Sequence, residues 1–411
     1  MKIDSVRFLA DIDELGTIGY REGQGITRLA LTDADVRARD WLQGRMEEAG
    51  LDVRVDAAGN VIGRLEGADP AGKTMVIGSH LDTVPQGGKY DGSLGVLSGL
   101  ECARNLIEAD VKLPWNLEII NFTDEEGHHF AGTFGSRAMM GSAAREELYG
   151  VKETGAPSLA DSFQRVGLDP TRIDEARRDP SEFRGYLEMH VEQGGTLEER
   201  GIDIGIVTGI VGIYRYVIEV EGQANHAGTT PMASRKDALV AAAPVFGLLP
   251  EWARARSDEM VATIGDVTVS PGAMNIIPGH CRFTVELRSI DAEDMARVRD
   301  RLDTWLDDNI RSALMKTVYE KDGVYLDDVL MSHIARGSRR SGVESVAMPS
   351  GAGHDAQSFA PYVPTAMIFV PSRGGISHSP DEYTDPEHLV NGVRVMMHTL
   401  LSLAEAEGPE D

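Results

Sequence analysis

Cysteine is nearly absent: Cys102 and Cys281 are the only two in 411 residues, they lie far apart, and no CxxC spacing occurs. This excludes a disulfide framework and a thiolate zinc site, and it fits a reducing, cytoplasmic compartment. Positive charge is scarce as well. Forty Lys and Arg stand against 66 Asp and Glu, a formal net charge of −26, so phosphate-rich partners are repelled over most of the surface. Neither nucleic acid nor an anionic membrane is an expected partner, and an anionic substrate would need locally concentrated positive charge. Long apolar runs are missing too. The longest, near residues 239–249, is interrupted by Pro244 and falls short of the roughly 20 residues of a spanning helix. The start, Met1-Lys2-Ile3-Asp4-Ser5-Val6, has no apolar signal core, so a soluble, unexported protein is expected.

What the chain does have is enough material for two well-cored domains, with 42 % hydrophobic and 26 % charged residues. Its most informative stretch is an apolar run through Leu117, Ile119, Ile120 and Phe122 that stops at Thr123-Asp124-Glu125-Glu126-Gly127. That pattern reads as a buried strand delivering three carboxylates to its C-terminal end, the edge where an open α/β sheet gathers ligand and catalytic sites. Adjacent like charges repel, and a bound cation with one carboxylate kept back as a base is the economical explanation. A solvated acidic turn is the plainer alternative.

Other strand ends repeat the theme. A short apolar strand, Thr74 to Ser79, runs into His80-Leu81-Asp82, and period-2 spacing puts His80 and Asp82 on one face, a metal ligand and an acid to orient a neighbouring ligand. Asp91 sits in the turn Gly87-Gly88-Lys89-Tyr90-Asp91-Gly92 before a helical pattern; it is either a turn former or a carboxylate placed to bridge two ions. The strand from Gly185 ends in His190, Glu192 and Gln193, with Glu188 on the face of His190. A small-residue loop containing Gly351 and Gly353 permits close backbone approach, and His378 follows the apolar strand at 365–370. The adjacent His128 and His129 diverge from one another and make a poor ligand pair.

Texture changes near Gly212. Strands are expected at 214–220, 260–269 and 280–287, with helices at 231–249 and 292–314, a β-α-β-β-α order that suggests a small α+β domain inserted in the larger one. The division is then 1–210 plus 326–411 against 211–325. Within the insert, His226, Asn275 and Arg288 interrupt the core pattern. Arg288 suits a carboxylate through its planar fork, or it makes an ordinary surface salt bridge. Residues 143–178 read as polar and helical, 389–403 as a closing helix and 404–411 as an acidic tail.

His80, Asp91, Glu126, His190 and His378 together supply three imidazoles and two carboxylates. Such nitrogen and oxygen ligands suit two divalent ions of Zn, Mn, Co or Ni better than Mg or Ca. Two ions about 3.5–4 Å apart would activate a water and polarise a carbonyl. Glu125, directed to the other face of the strand, would be free to carry a proton to a leaving nitrogen, although spacing alone leaves open which of Glu125 and Glu126 is base and which is ligand. The chemistry is hydrolysis of an amide-like bond.

Five motifs, Gly78-Ser79-His80-Leu81-Asp82-Thr83-Val84, Tyr90-Asp91-Gly92, Thr123-Asp124-Glu125-Glu126-Gly127, His190-Val191-Glu192-Gln193-Gly194 and Gly375-Ile376-Ser377-His378, resemble the dinuclear-metal amidohydrolases of the M20 peptidase superfamily. Within it the chain is most similar to the group of N-carbamoyl-L-amino-acid hydrolases, allantoate amidohydrolases and β-ureidopropionases. The resemblance implies an α/β catalytic domain with an inserted lid and dimerisation domain, hence a homodimer. It implies that His80, Glu126, His190 and His378 bind two metals bridged by Asp91, that Asp82 supports them, and that Glu125 is the general base. It also implies that His226 stabilises the oxyanion, that Asn275 and Arg288 hold the substrate carboxylate, and that Gln193 and the Gly351 and Gly353 loop complete the pocket. The expected substrate is a small anionic ureido compound, an N-carbamoyl-L-amino acid before allantoate, with metallopeptidase activity less favoured because peptidases of the superfamily usually carry a carboxylate where His190 stands.

Overall fold

The computed structural model describes residues 3–129, 132–150, 155 and 157–407. Two compact units divide the chain, Met1–Thr208 with Leu326–Asp411, and Gly209–Tyr325.

The larger unit is built on a mixed sheet whose central strands are covered on both faces. Thr74–His80 and Asn116–Phe122 are buried at every position, as is nearly all of Phe183–Val191. Such continuous apolar strands are what a parallel sheet between helices requires. Thr74–His80 pairs in parallel with both neighbours, placing Ile77 opposite Ile119 on one side and Leu187 on the other. Thr365–Val370 extends the parallel set, with Phe369 opposite His190. The flanks are antiparallel: Val61–Leu65 and then Asp52–Val55 on one side, Ile204–Ile210 on the other. Because the four inner strands run the same way, His80, Phe122, Val191 and Val370 all finish at one edge of the sheet. The helices Ser93–Glu108 and Pro386–Ala406 pack together against it through Leu94, Leu97, Leu100, Val393 and Met397, which join Ile77 and Ile119 in one core. On the opposite face Tyr186 stacks on Phe359 at 4.4 Å between ring centroids.

Several sequence expectations shift here. Residues 143–178 are not one polar helix: Arg145–Tyr149 and Pro170–Ala176 are 3-10 turns around a short helix, Leu159–Arg165. Pro157 and Pro170 and the three glycines Gly150, Gly155 and Gly167 interrupt helical propagation there; residues 151–154 and 156 lie outside the described residues. Pro386–Ala406 begins earlier than expected, with Pro at its first turn, and the last four residues of the acidic tail are also outside the described set. Among the described residues no helix is long and apolar enough to cross a membrane.

The unit Gly209–Tyr325 carries a five-stranded antiparallel sheet in which His280–Ser289 lies between Val261–Thr263 and Gly212–Glu221, and Ala313–Lys321 forms the far edge. Ala238–Arg254 and Ala292–Asn309 fill its core against Tyr216, Ile218, Phe283 and Val285. The β-α-β-β-α expectation is corrected at three points. The strand expected at 260–269 splits into Val261–Thr263 and Val267–Ser270 around Gly265. The first helix starts at Ala238, where the Asp237 side chain caps Leu239 and Val240, and not at Pro231. The second helix stops at Asn309, and Ala313–Lys321 is a strand, as its β-branched and aromatic Thr317, Val318 and Tyr319 favour.

Candidate metal centre

The shared strand edge of the larger unit collects the candidate ligands. His80 closes its strand, His190 is the penultimate residue of Phe183–Val191, and Asp91 sits on the turn leading into the helix Ser93–Glu108. Gly92 in that turn has φ +67, and a Cβ there would lie 2.4 Å from the His80 ring, so only glycine lets the turn pass the imidazole.

Asp91 is the hub. Its Oδ1 faces His80 Nε2 at 3.5 Å and His190 Nε2 at 3.3 Å, whereas its Oδ2 faces His378 Nε2 at 3.4 Å. His378 Nε2 is in turn 3.4 Å from Glu126 Oε1. Two triads therefore share this carboxylate, His80 with His190 and Glu126 with His378, each offering ligand atoms within 4.8 Å of one another. The Nδ1 of His80 donates to the Asp82 carbonyl and that of His190 to the Val191 carbonyl, both at 2.9 Å. These bonds favour the neutral tautomer in which Nε2 carries the lone pair, and Nε2 of His190 accepts the Gly92 N–H at 3.1 Å.

Glu125 does not turn away from the ligands, as strand alternation led one to expect. Its Oε2 is 3.5 Å from His80 Nε2, and Glu125 and Glu126 both converge on His80. The reason is Asp124, whose φ of +55 breaks the strand periodicity. Asp124, which carries no chemistry in the sequence reading, is the pin of this loop: it accepts the N–H groups of His128 and His129 and the Nδ1 of His129. His129 Nε2 then meets Ser162 Oγ at 2.8 Å, so His129 is a structural residue among the described contacts. Asp82 acts on the loop that carries Glu125 and Glu126. Its carboxylate stands 3.8 Å from His80 Nδ1 and accepts the backbone N–H of Glu126 at 3.1 Å and of Glu125 at 3.4 Å.

Electrostatics make the edge receptive to cations. Burial, then Glu126 and the neighbouring Asp355, Asp82 and Asp91, push the Glu125 carboxyl well above the usual range; burial with Asp91 and Asp82 does the same to Glu126. At Asp91 burial works upward too, but His190, His378 and His80 outweigh it and hold the carboxyl well below that range. Burial lowers His80 to about 4, while at His190 it is overcome by Asp91 and Glu188, raising that imidazole to about 9. Glu126 Oε1 is buried without any hydrogen-bond partner among the described residues. An orphaned carboxylate oxygen among mutually repelling acids is satisfied by a cation, and the mixed nitrogen and oxygen donors fit a divalent ion of the Zn, Mn, Co and Ni type.

Gln193 donates from Nε2 to Asp91 Oδ2 at 2.7 Å. Gly351 and Gly353 belong to the loop after Ser345–Ser350, whose next residue, His354, sets its ring 4.5 Å from that of His190. Residues unassigned in the sequence reading also gather here. Glu188 is buried and accepts from Ser79 Oγ, Tyr186 OH and the Ala356 N–H. Glu382 accepts from the N–H groups of Tyr90 and Asp91, and burial with Asp91 pushes it up to about 7. Its one sequence signal is an acid four residues beyond His378.

His226, Asn275 and Arg288 lie in the other unit, Gly209–Tyr325. There His226 bridges to Ile276, and the Ala227 N–H donates to the Asn275 carbonyl at 2.9 Å. The exposed His226 ring accepts from the Gly228 N–H through Nδ1 at 3.0 Å. Arg288 donates to Glu286 two residues away on the same strand, at 2.8 Å.

Comparison with known proteins bears on this constellation. The profile of peptidase family M20/M25/M40 matches residues 76–402. The chain is 39 % identical to the N-carbamoyl-L-amino acid amidohydrolase of Geobacillus stearothermophilus over 98 % of its length and all of that protein. It is 34 % identical to the allantoate amidohydrolase of Bacillus subtilis over 96 % of each chain. A solved amidase of the hydantoinase/carbamoylase family from Burkholderia multivorans superposes with a TM-score of 0.88 at 34 % identity, covering 98 % of both chains.

Proposed function

Because the chain belongs to peptidase family M20/M25/M40 and is an amidohydrolase of C–N bonds other than peptide bonds, we propose that it hydrolyses the ureido C–N bond of N-carbamoyl-L-amino acids. The products are the L-amino acid, CO2 and ammonia. The observation that carries this reading is Asp91, whose two carboxylate oxygens face separate ligand pairs, the arrangement a bridging ligand between two divalent ions needs. N-carbamoyl-L-amino acids are placed ahead of allantoate because the carbamoyl relative is 39 % identical and the allantoate relative 34 %.

In this reading His80 and His190 would hold one divalent ion and Glu126 and His378 a second, with Asp91 a ligand to both. When bound, two such ions lower the pKa of water toward neutrality and polarise a carbonyl oxygen. Glu125, beside the ligands with Oε2 3.5 Å from His80 Nε2, takes the proton of the attacking water as that water adds to the ureido carbon. It then returns the proton to the departing nitrogen as the C–N bond breaks. The resulting carbamate falls to CO2 and ammonia, so one water is consumed overall. Gln193 keeps Asp91 oriented. To residues 209–325 we assign substrate holding, with His226 for the developing oxyanion and Asn275 and Arg288 for the substrate carboxylate. The same unit, with the exposed edge strand Ala313–Lys321, is the proposed lid and homodimer surface. Two free, buried cysteines agree with a cytoplasmic setting.

The test is a panel of N-carbamoyl-L-amino acids, N-carbamoyl-β-alanine, allantoate and dipeptides, each assayed with Zn, Mn, Co or Ni. Turnover of carbamoyl amino acids above the rest supports the reading; preferential allantoate or dipeptide turnover replaces it.

A further inference from the structure

The turn carrying Asp91 and the loop carrying His378 are almost 290 residues apart in sequence, and one buried side chain ties them together. Glu382 Oε1 accepts the N–H of Tyr90 at 2.9 Å and the N–H of Asp91 at 3.1 Å. Its other oxygen, Oε2, is 3.0 Å from Ser377 Oγ, and that hydroxyl is also 2.9 Å from Asp91 Oδ2. Glu382 is only 6 % exposed. Its seat is built for it: a Cβ at Gly88 would fall 2.2 Å from Glu382 Oε1 and 2.4 Å from its Cβ and Cδ, so no side chain larger than hydrogen fits there while the carboxylate is in place.

We propose that Glu382 is the positioning residue of the shared carboxylate, fixing the Asp91 backbone from one oxygen and, through Ser377, its Oδ2 from the other. The proposal rests on the two-metal reading above. Two amide bonds set the height of the Asp91 turn, and the Ser377 hydroxyl holds the carboxylate plane so that Oδ1 serves His80 and His190 while Oδ2 serves His378. Because Ser377 precedes His378, the same contact sets how far the His378 loop reaches toward Asp91. The tie demands two acceptor contacts on one oxygen and a polar contact with Ser377 on the other atom. A glutamine supplies both, with its amide donating to Ser377 Oγ and freeing that hydroxyl's hydrogen for Asp91. An alanine supplies neither.

The experiment measures metal stoichiometry and affinity, by chelator competition with Zn or Mn, in the whole wild-type chain and in Glu382→Gln, Glu382→Ala and Gly88→Ala. Glu382→Ala is expected to weaken binding of the second equivalent by roughly 10- to 100-fold, the usual cost of removing a group that orients a ligand. Gly88→Ala, which displaces the carboxylate without removing it, is expected to weaken binding in the same direction, and Glu382→Gln to stay within about threefold of wild type. Thermal midpoints recorded alongside separate this from unfolding; if Glu382→Ala does not fold, the other two variants decide. Two equivalents bound with wild-type affinity by Glu382→Ala or Gly88→Ala would overturn the proposal, as would Glu382→Gln binding no better than alanine. A wild-type chain that binds no divalent metal would overturn the two-metal reading itself.

Discussion

Asp82 reaches past its neighbour His80 and takes the backbone N–H of Glu126 at 3.1 Å, so a buried acid on one strand end sets the height of the acidic loop on the next. Removing it frees two N–H groups in a buried loop and lets Glu126 drift from His378. Asp82→Ala is therefore expected to lower metal affinity by roughly 10- to 100-fold, measured by chelator competition. Unchanged affinity would mean that Asp124 alone holds the loop.

Glu125→Gln removes the proton carrier and keeps the shape of the loop. The expected result is a fall in kcat of roughly 10²- to 10⁴-fold, with metal content unaltered when the purified variant is analysed by atomic emission. Near-normal turnover would assign the proton transfer to another group.

Arg288→Ala tests substrate holding in residues 209–325. Loss of a charge-assisted bond to a carboxylate costs about 1.5–3 kcal/mol, which corresponds to a KM for N-carbamoyl-L-amino acids raised roughly 10- to 100-fold. If steady-state kinetics stay as in wild type, Arg288 serves its own unit, where it pairs with Glu286, and does not hold substrate.

Glu118 gives a stability prediction far from the chemistry. It is fully buried and meets Arg54 at 2.9 Å, Arg64 at 3.4 Å and Arg178. Burial raises its carboxyl, but Arg178 and Arg54 outweigh that and hold it below the usual range. A folded pKa below the unfolded value means that this stabilisation is complete above the unfolded Glu pKa of about 4.3 and is lost as pH falls through the folded value. The arginines are partly exposed and screened, so Glu118→Gln is expected to destabilise by about 1–3 kcal/mol at pH 7, and by less at acidic pH as the carboxylate is protonated. Urea unfolding at neutral and acidic pH checks it, and a pH-independent difference would contradict the assignment.

Much of this site was legible because parallel strands write their chemistry at their ends. His80 and His190 lie at the ends of strands, Glu126 and His378 follow strands and Asp91 precedes a helix, and the structure brings all five together. What alternation could not supply was the backbone beyond the strand. Asp124 at φ +55 turns Glu125 to the same side as Glu126, and Asp82 spends its carboxylate on backbone N–H groups, which carry no sequence signature. Glu382 was hidden for a related reason, since its partners Tyr90 and Asp91 lie almost 300 residues away. In residues 209–325 the strand Ala313–Lys321 escaped because Leu314, Met315 and Lys316 suit a helix as well as a strand.

The central claim is a pair of divalent ions shared at Asp91 that drives ureido hydrolysis. It is tested most directly by titrating chelator-stripped protein with Mn or Zn while recording bound metal and the ammonia released from an N-carbamoyl-L-amino acid. Ammonia release is expected to be absent in stripped protein, to rise as binding approaches two equivalents, and to stay absent in Asp91→Ala. Turnover by stripped protein, or two bound equivalents with no ureido hydrolysis, would contradict it.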